Sequence, residues 1–251
     1  MVFMRGLSRL IASAGATAAV VTFSPGLAAA SQQAPAVPGI SLVSPIASGY
    51  AALPRPGGAK SFTHVQTTFV VPAVTCAAQN ATAQTRAGLD GITNDTVERV
   101  GVNEACVNAV AFYTAWYQMF PAMGSPALTF HPSPGDTVTA SVTANAGVYT
   151  LSVHDLTSGQ SFTVSKACAA CLNSSAEVTA GSPSGVSPAQ FGVVHFTNIN
   201  VVDDGGVSGG LANAAWNTEK LTQPGSPHTV AGPLHTSSSP PRSAFPDHWA
   251  P

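Results

Sequence analysis

The sequence predicts an all-β protein whose antiparallel sheets pack face to face or close into a barrel. Three observations lead there. Short runs rich in β-branched and aromatic residues recur along the chain. Clusters of Gly, Pro, Asn and Ser such as SPGD, TANAG and TSGQ separate them, and helical periodicity is nearly absent.

In chain order, residues 1–30 read as an export signal. Arg5 and Arg9 form a basic start, Leu10 to Phe23 is apolar, and Ala28, Ala29 and Ala30 offer small residues for cleavage after Ala30. The apolar run is shorter than the ~20 residues that cross hydrocarbon, so it is read as a signal and not as an anchor. The mature chain is therefore expected to be secreted and extracellular, free of the membrane. Residues 31–45, SQQAPAVPGISLVSP, are Pro- and Ala-rich without periodicity and read as a linker or short pro-segment. The roughly 220 residues left after the signal suit one large all-β domain or two small ones.

Strands are expected at Ser61–Pro72, Thr96–Val102, Ala111–Phe120, Asp136–Ala144, Val148–His154, Ser161–Lys166 and Gly192–Val201. The stretch from Thr137 to Lys166 reads as a meander. Between Gly210 and Thr222 a turn or two of helix is tolerated. The tail after Ser226, rich in Pro and Gly, is expected to be loop-like with one edge strand. No internal repeat is found.

Composition narrows the function. Without Arg5 and Arg9, seven basic residues face eleven acidic ones, a net charge of about −4. That excludes a basic nucleic-acid binder. Only 8% of residues are charged, so few charge-linked contacts can be lost in acid, and acid tolerance is expected. The four cysteines Cys76, Cys106, Cys168 and Cys171 are an even set in an exported chain and read as disulfides. Three pairings are open; Cys76 with Cys106 and Cys168 with Cys171 is favoured. Half a zinc site at Cys168-x-x-Cys171 lacks a second Cys or His pair, and a thioredoxin-like motif lacks its βαβ surroundings.

Other chemistry finds little support. Gly206-Val207-Ser208-Gly209-Gly210 resembles a glycine-flanked serine nucleophile. Yet none of His64, His154, His195, His228, His235 or His248 stands in the context a triad base needs. No HExxH motif or carboxylate cluster points to a metal hydrolase. Asn80-Ala-Thr, Asn94-Asp-Thr and Asn173-Ser-Ser fit glycosylation acceptors and mark surface loops.

Four ordered segments carry more information: FVVPAVTC (69–76), AGLDGITNDTVERVGVNEAC (87–106), FYTAWYQMFPA (112–122) and SSAEVTAGSPS (174–184). Their order resembles the glutamic peptidase (eqolisin) family, with its W-x-G-[IL]-D-G, V-x-Q-x-G, Y-x-A-W-Y-E-x-Y-P and S-A-E-W segments. The likeness runs from about Ser48 to Asn198, and more faintly to Ser243-Ala244-Phe245. It implies a β-sandwich of two large antiparallel sheets, a concanavalin-like jelly roll, spanning 46–251. It also implies a protein or peptide substrate, and water activated by a glutamate while a glutamine amide donates to the oxyanion. No metal or cofactor is called for, and a monomer is expected.

Carried over, the glutamate falls on Glu177. The glutamine falls on Arg99, the tryptophan before the G-[IL]-D-G segment on Arg86, the glutamate of A-W-Y-E on Gln118, and the tryptophan after the base on Val178. Asp90, Trp116, Tyr117 and Pro121 stand as in the family. Arg86, Asp90, Trp116, Tyr117 and Gln118 are thus candidate oxyanion or substrate contacts. Phe112, Trp116 and Phe120 are divided between a groove floor and the core. An arginine can donate to an oxyanion, but a glutamate locked to it as an ion pair is a poor proton acceptor. Reduced or redirected activity is expected, with a peptide- or glycan-binding relative as the alternative.

Overall fold

The computed structural model describes residues 40–44, 46–77, 80–121, 128–183, 186–224, 228–232, 234–236 and 243–250. The export signal expected at 1–30 and most of the segment at 31–45 lie outside them. In chain order the strands are β1 (Ile40–Val43), β2 (Ala47–Pro54), β3 (Phe62–Val70), β4 (Val74–Thr75), β5 (Thr82–Asp90) and β6 (Val97–Val107). Then come β7 (Val110–Phe120), β8 (Thr137–Asn145), β9 (Val148–Asp155), β10 (Ser161–Ala167), β11 (Ala176–Gly181) and β12 (Gln190–Phe191). The last are β13 (Val193–Asp203), β14 (Ser208–Gly209), β15 (Trp216–Thr222), β16 (His228–Ala231), β17 (His235–Thr236) and β18 (Ser243–Ala250).

Two large sheets result. One has seven strands in the order β1-β15-β2-β11-β5-β6-β7. The other has nine, running β10-β9-β8-β3-β13-β18-β16 with β14 on β13 and β17 on β18, while β4 and β12 form a separate pair. Pairing is antiparallel except for β1 on β15, which brings Ile40–Val43 of the expected linker into the sheet as an edge strand. The sheets stay separate, so of the two architectures open to the sequence the molecule is a sandwich and not a barrel.

Alternation decides which face is buried. On β8 and β9, Val138, Ala140, Val142, Tyr149, Leu151 and Val153 face inward, their neighbours outward. The two strands join through Ala146 and Gly147, both at positive φ (48° and 75°), the backbone of a tight hairpin turn. Leu89, Val100, Val102, Ala115 and Met119 of the seven-stranded sheet pack toward them. Phe62 meets Trp216 edge-on at 5.9 Å, and Tyr117 stacks on Phe162 at the same centroid separation. Both expected disulfides are present, Cys76–Cys106 and Cys168–Cys171.

Two expectations are corrected. Gly210–Thr222 holds no helical turn: its second half is β15, paired to β1 on one side and β2 on the other, with Trp216 and Leu221 buried. Glu219 and Lys220, good helix formers, obscured a strand that tertiary pairing imposes. The tail carries three strands, and β18 lies between β13 and β16 instead of at an edge. Pro246 within it argued against an interior strand.

Candidate active site

Sheet register assembles the site. Glu177 of β11 stands opposite Gly88 of β5, Gly88 opposite Arg99 of β6, and Arg99 opposite Gln118 of β7. Residues in one row across a sheet point to one face. The row therefore brings together a carboxylate, a guanidinium and an amide from residues 78 and 19 positions apart in sequence. This face is turned away from the apolar core, which takes Leu89, Val100 and Val178 from the same strands.

Arg99 Nε donates directly to Glu177 Oε1, and both side chains are buried, 8% and 2% exposed. Two glycines make the room. A Cβ on Gly88 would lie 2.6 Å from Arg99 Cγ and 3.2 Å from Glu177 Oε1; one on Gly91, whose φ is +87°, would lie 2.5 Å from Arg99 Nη2. The guanidinium thus crosses over Gly88 to its partner with its outer nitrogen against Gly91. Any larger residue would push it aside.

Arg99 lines a cleft of about 810 Å³, and Glu177 lies behind it, outside the lining. Arg86, Arg99, Gln84, Asn103, Gln118 and Phe120 are among its walls, a lining rich in guanidinium and amide donors. Arg86 is buried and its Nη1 donates to Gln84 Oε1 at 3.0 Å. Phe112 and Phe120 lie on the cleft face at 51% and 46% exposure, whereas Trp116, on the same face, is buried. Tyr117 turns the other way, into the core against Phe162.

Asp90 holds the site together from behind. Its carboxylate accepts from the backbone N–H groups of Leu172, Asn173 and Ser174 and from Asn94 Nδ2, Thr96 Oγ1 and Ser174 Oγ, at 2.6–3.1 Å. Burial opposes its charge, but these bonds outweigh it and keep the carboxyl below the usual range. The turn it grips leads straight into β11 and Glu177. Asp90 is thus an anchor for the strand that carries Glu177. Next to it, on the core side of β6, burial first and then the Asp90 charge push Glu98 up to about 9. Burial likewise pushes Glu104 up to about 8.

Sequence reasoning named Glu177, Arg99, Gln118, Arg86 and Asp90; of these Arg86, Arg99 and Gln118 line the cleft, Glu177 lies behind Arg99, and Asp90 grips the turn before β11. It did not foresee the spacer roles of Gly88 and Gly91, or Glu98, Gln84 and Asn103. A glycine lying between two charged partners in register was the available signal, legible only once the strands were paired. Asn94 and Asn173 lie in partly exposed loops and are tied into this network, Asn173 Oδ1 accepting from Tyr149 at 2.6 Å. Ser208 Oγ donates to Asn200 Oδ1 and meets no histidine. Glu98, Cys168 and Cys171 cluster at metal-ligand distances, but the two sulfurs are bonded to each other.

A two-sheet antiparallel sandwich of this kind is the fold of a glutamic-peptidase-like protein. The profile of the Peptidase A4 family matches residues 47–233, and the chain belongs to that family, the eqolisins. The fold is similar to scytalido-glutamic peptidase solved with a peptide-based transition state analog: TM-score 0.61, 22% identity, covering 82% of this chain and all of that one. It is similar to SCP-B, an eqolisin in complex with the tripeptide Ala-Ile-His: TM-score 0.57, 20% identity, 82% of this chain and 100% of that. Aspergilloglutamic peptidase from Aspergillus niger gives TM-score 0.54 and 25% identity over 68% of this chain and 99% of that. No curated protein sequence matches the chain.

Proposed function

We propose that the chain is an exported, monomeric glutamic-type endopeptidase working in acid, its turnover held down by Arg99. A peptide lies along the cleft. Glu177 takes a proton from water, the water oxygen attacks the scissile carbonyl, and Arg99 and Gln118 donate to the oxyanion. Glu177 then returns the proton to the leaving amine as the C–N bond breaks. The observation that carries this reading is the row Glu177–Gly88–Arg99–Gln118, in which a buried carboxylate lies beside two donors that line one cleft. The peptide-like molecules bound to two of the similar proteins favour an extended peptide as the ligand. Paired disulfides suit an exported protein, and among the described residues no helix is long and apolar enough to cross a membrane.

One observation favours a second reading. Arg99 donates directly to a Glu177 oxygen, and a base engaged this way is less free to take a proton. In that case the cleft binds peptide or glycan without cutting it. Digestion of denatured protein from roughly pH 2 to 8, with wild type, Glu177→Gln and Arg99→Gln in parallel, decides. Cleavage that disappears in Glu177→Gln and rises in Arg99→Gln supports the peptidase. No Glu177-dependent cleavage at any pH leaves the binding protein.

A further inference from the structure

Behind the cleft, Cys168 and Cys171 close a small loop just ahead of the turn that grips Asp90. Cys171 is partly exposed beside the exposed Leu172, while Cys168 is buried. The Glu98 carboxyl, with no exposed surface, comes within 4.8 Å of both sulfurs. Among the described residues no acidic or histidine side chain forms such a group of three with Cys76 and Cys106. A buried carboxylic acid beside a short Cys-x-x-Cys disulfide has one evident chemical use, which is to protonate a thiolate where water cannot.

We propose that Cys168–Cys171 is a thiol–disulfide exchange site that reacts with small monothiols, with Glu98 as the proton donor to the departing sulfur. The incoming thiolate attacks Cys171 Sγ, on the more exposed of the two cysteines, and forms a mixed disulfide with it. The Cys168–Cys171 bond breaks, and Cys168 Sγ leaves as a thiolate into the buried side of the loop. Glu98 gives it a proton and becomes a carboxylate. A second monothiol attacks the mixed disulfide, releasing the oxidised monothiol dimer and the Cys171 thiolate, and solvent protons restore Glu98 and Cys171. Two monothiols are oxidised and one protein disulfide is reduced. Burial supports the role, since it keeps Glu98 protonated to about pH 9. The groups that bear on Glu98 are Asp90 on β5, Arg99 on its own strand β6, Tyr149 on β9 and Glu177 on β11. Asp90, Glu177 and burial hold the proton on, and Arg99 alone opposes them. Whether the cleft hydrolyses peptides does not bear on this proposal.

The test uses the full chain with reduced glutathione as probe, rapid alkylation of free thiols, and intact-mass and peptide analysis. Cys168 and Cys171 are expected to become alkylated while Cys76–Cys106 stays closed. The rate, expressed per glutathione thiolate, should fall as pH rises through about 9 in wild type. Glu98→Gln should slow the reaction about tenfold or more at pH below that value. Reduction of both disulfides in step overturns the proposal. So does a thiolate-normalised rate that is level through that range, or a folded Glu98→Gln that reacts as fast as wild type. If Glu98→Gln does not fold, the wild-type pH series decides by itself.

Discussion

Arg99 shows how one side chain can keep a site's geometry and change its chemistry. Glutamine and arginine both donate N–H groups, but arginine brings a permanent charge that finds Glu177. Removing one partner of a buried ion pair leaves the other charge stranded, at about 3–5 kcal/mol. Arg99→Ala should therefore destabilise the fold by about that much in urea titrations, and Arg99→Met with Glu177→Leu should recover most of it. Equal stability of Arg99→Ala and wild type would show that the pair does not form in solution. Gly88→Ala tests the same contact from the backbone side. A Cβ 2.6 Å from Arg99 Cγ cannot be accommodated without moving the guanidinium, and overpacking of this kind costs about 1–3 kcal/mol. An unchanged denaturation midpoint in Gly88→Ala would contradict the crossing described above.

At the scale of elements, the strand that carries Glu177 depends on what grips its entry. Asp90 satisfies three consecutive backbone donors at Leu172, Asn173 and Ser174. Hydrogen bonds to a charged acceptor contribute about 1.5–3 kcal/mol each in favourable cases. Asp90→Ala should therefore lower stability by at least about 3 kcal/mol and raise amide exchange in residues 172–177; exchange unchanged in that segment would refute the anchoring role. The elements also divide sharply in how readable they were. Strands β3, β8, β9, β10 and β13 carry Val, Phe and Thr in alternation and were located closely. Strands β2, β5 and β11 (ASGYAALP, TAQTRAGLD, AEVTAG) were not, although β11 carries Glu177 and β2 and β5 flank it. They are buried on both faces, one against the core and one beneath the cleft, so small and polar residues replace the usual alternation. Glu177 itself was legible only through the ordered family segments, since a lone glutamate on a strand ordinarily faces solvent.

Across the whole molecule, buried carboxyls set the response to pH. Glu98 and Glu104 titrate near 9 and 8 in the folded protein but have an ordinary value of 4.5, and burial raises Glu219 as well. From pH 4.5 upward the unfolded chain gives up these protons and the folded chain keeps them, so their contribution falls with rising pH until about 8–9. Asp90 and Asp155, held below their ordinary value of 3.8 by hydrogen bonds that outweigh burial, act below that range. Their contribution is lost as pH falls through their folded values. His64, lowered by burial, favours unfolding as pH drops below 6.5, one group against three. Stability should thus peak in mild acid. Thermal unfolding should give a higher Tm near pH 4.5 than near pH 8.5, and Glu98→Gln with Glu104→Gln should flatten the slope. A Tm that climbs over the same interval would overturn this account. Few charges suggested acid tolerance from composition; the direction of the effect comes from where the carboxyls lie.

The sequence by itself determined the strand-rich architecture and the cysteine pairing that was favoured, and its ordered family segments singled out Glu177 and Arg99 as candidates for one site. Alternation, turn residues and ordered motifs are local quantities and can be read along a chain. Only the tertiary structure decided that Arg99 and Glu177 touch, because contact depends on strand register and on the space left by Gly88 and Gly91. It also decided that Asp90 anchors a turn 82 residues away and that Glu98 lies against a disulfide. Burial, which governs charge and proton affinity, belongs to the packed sheets and to no single residue.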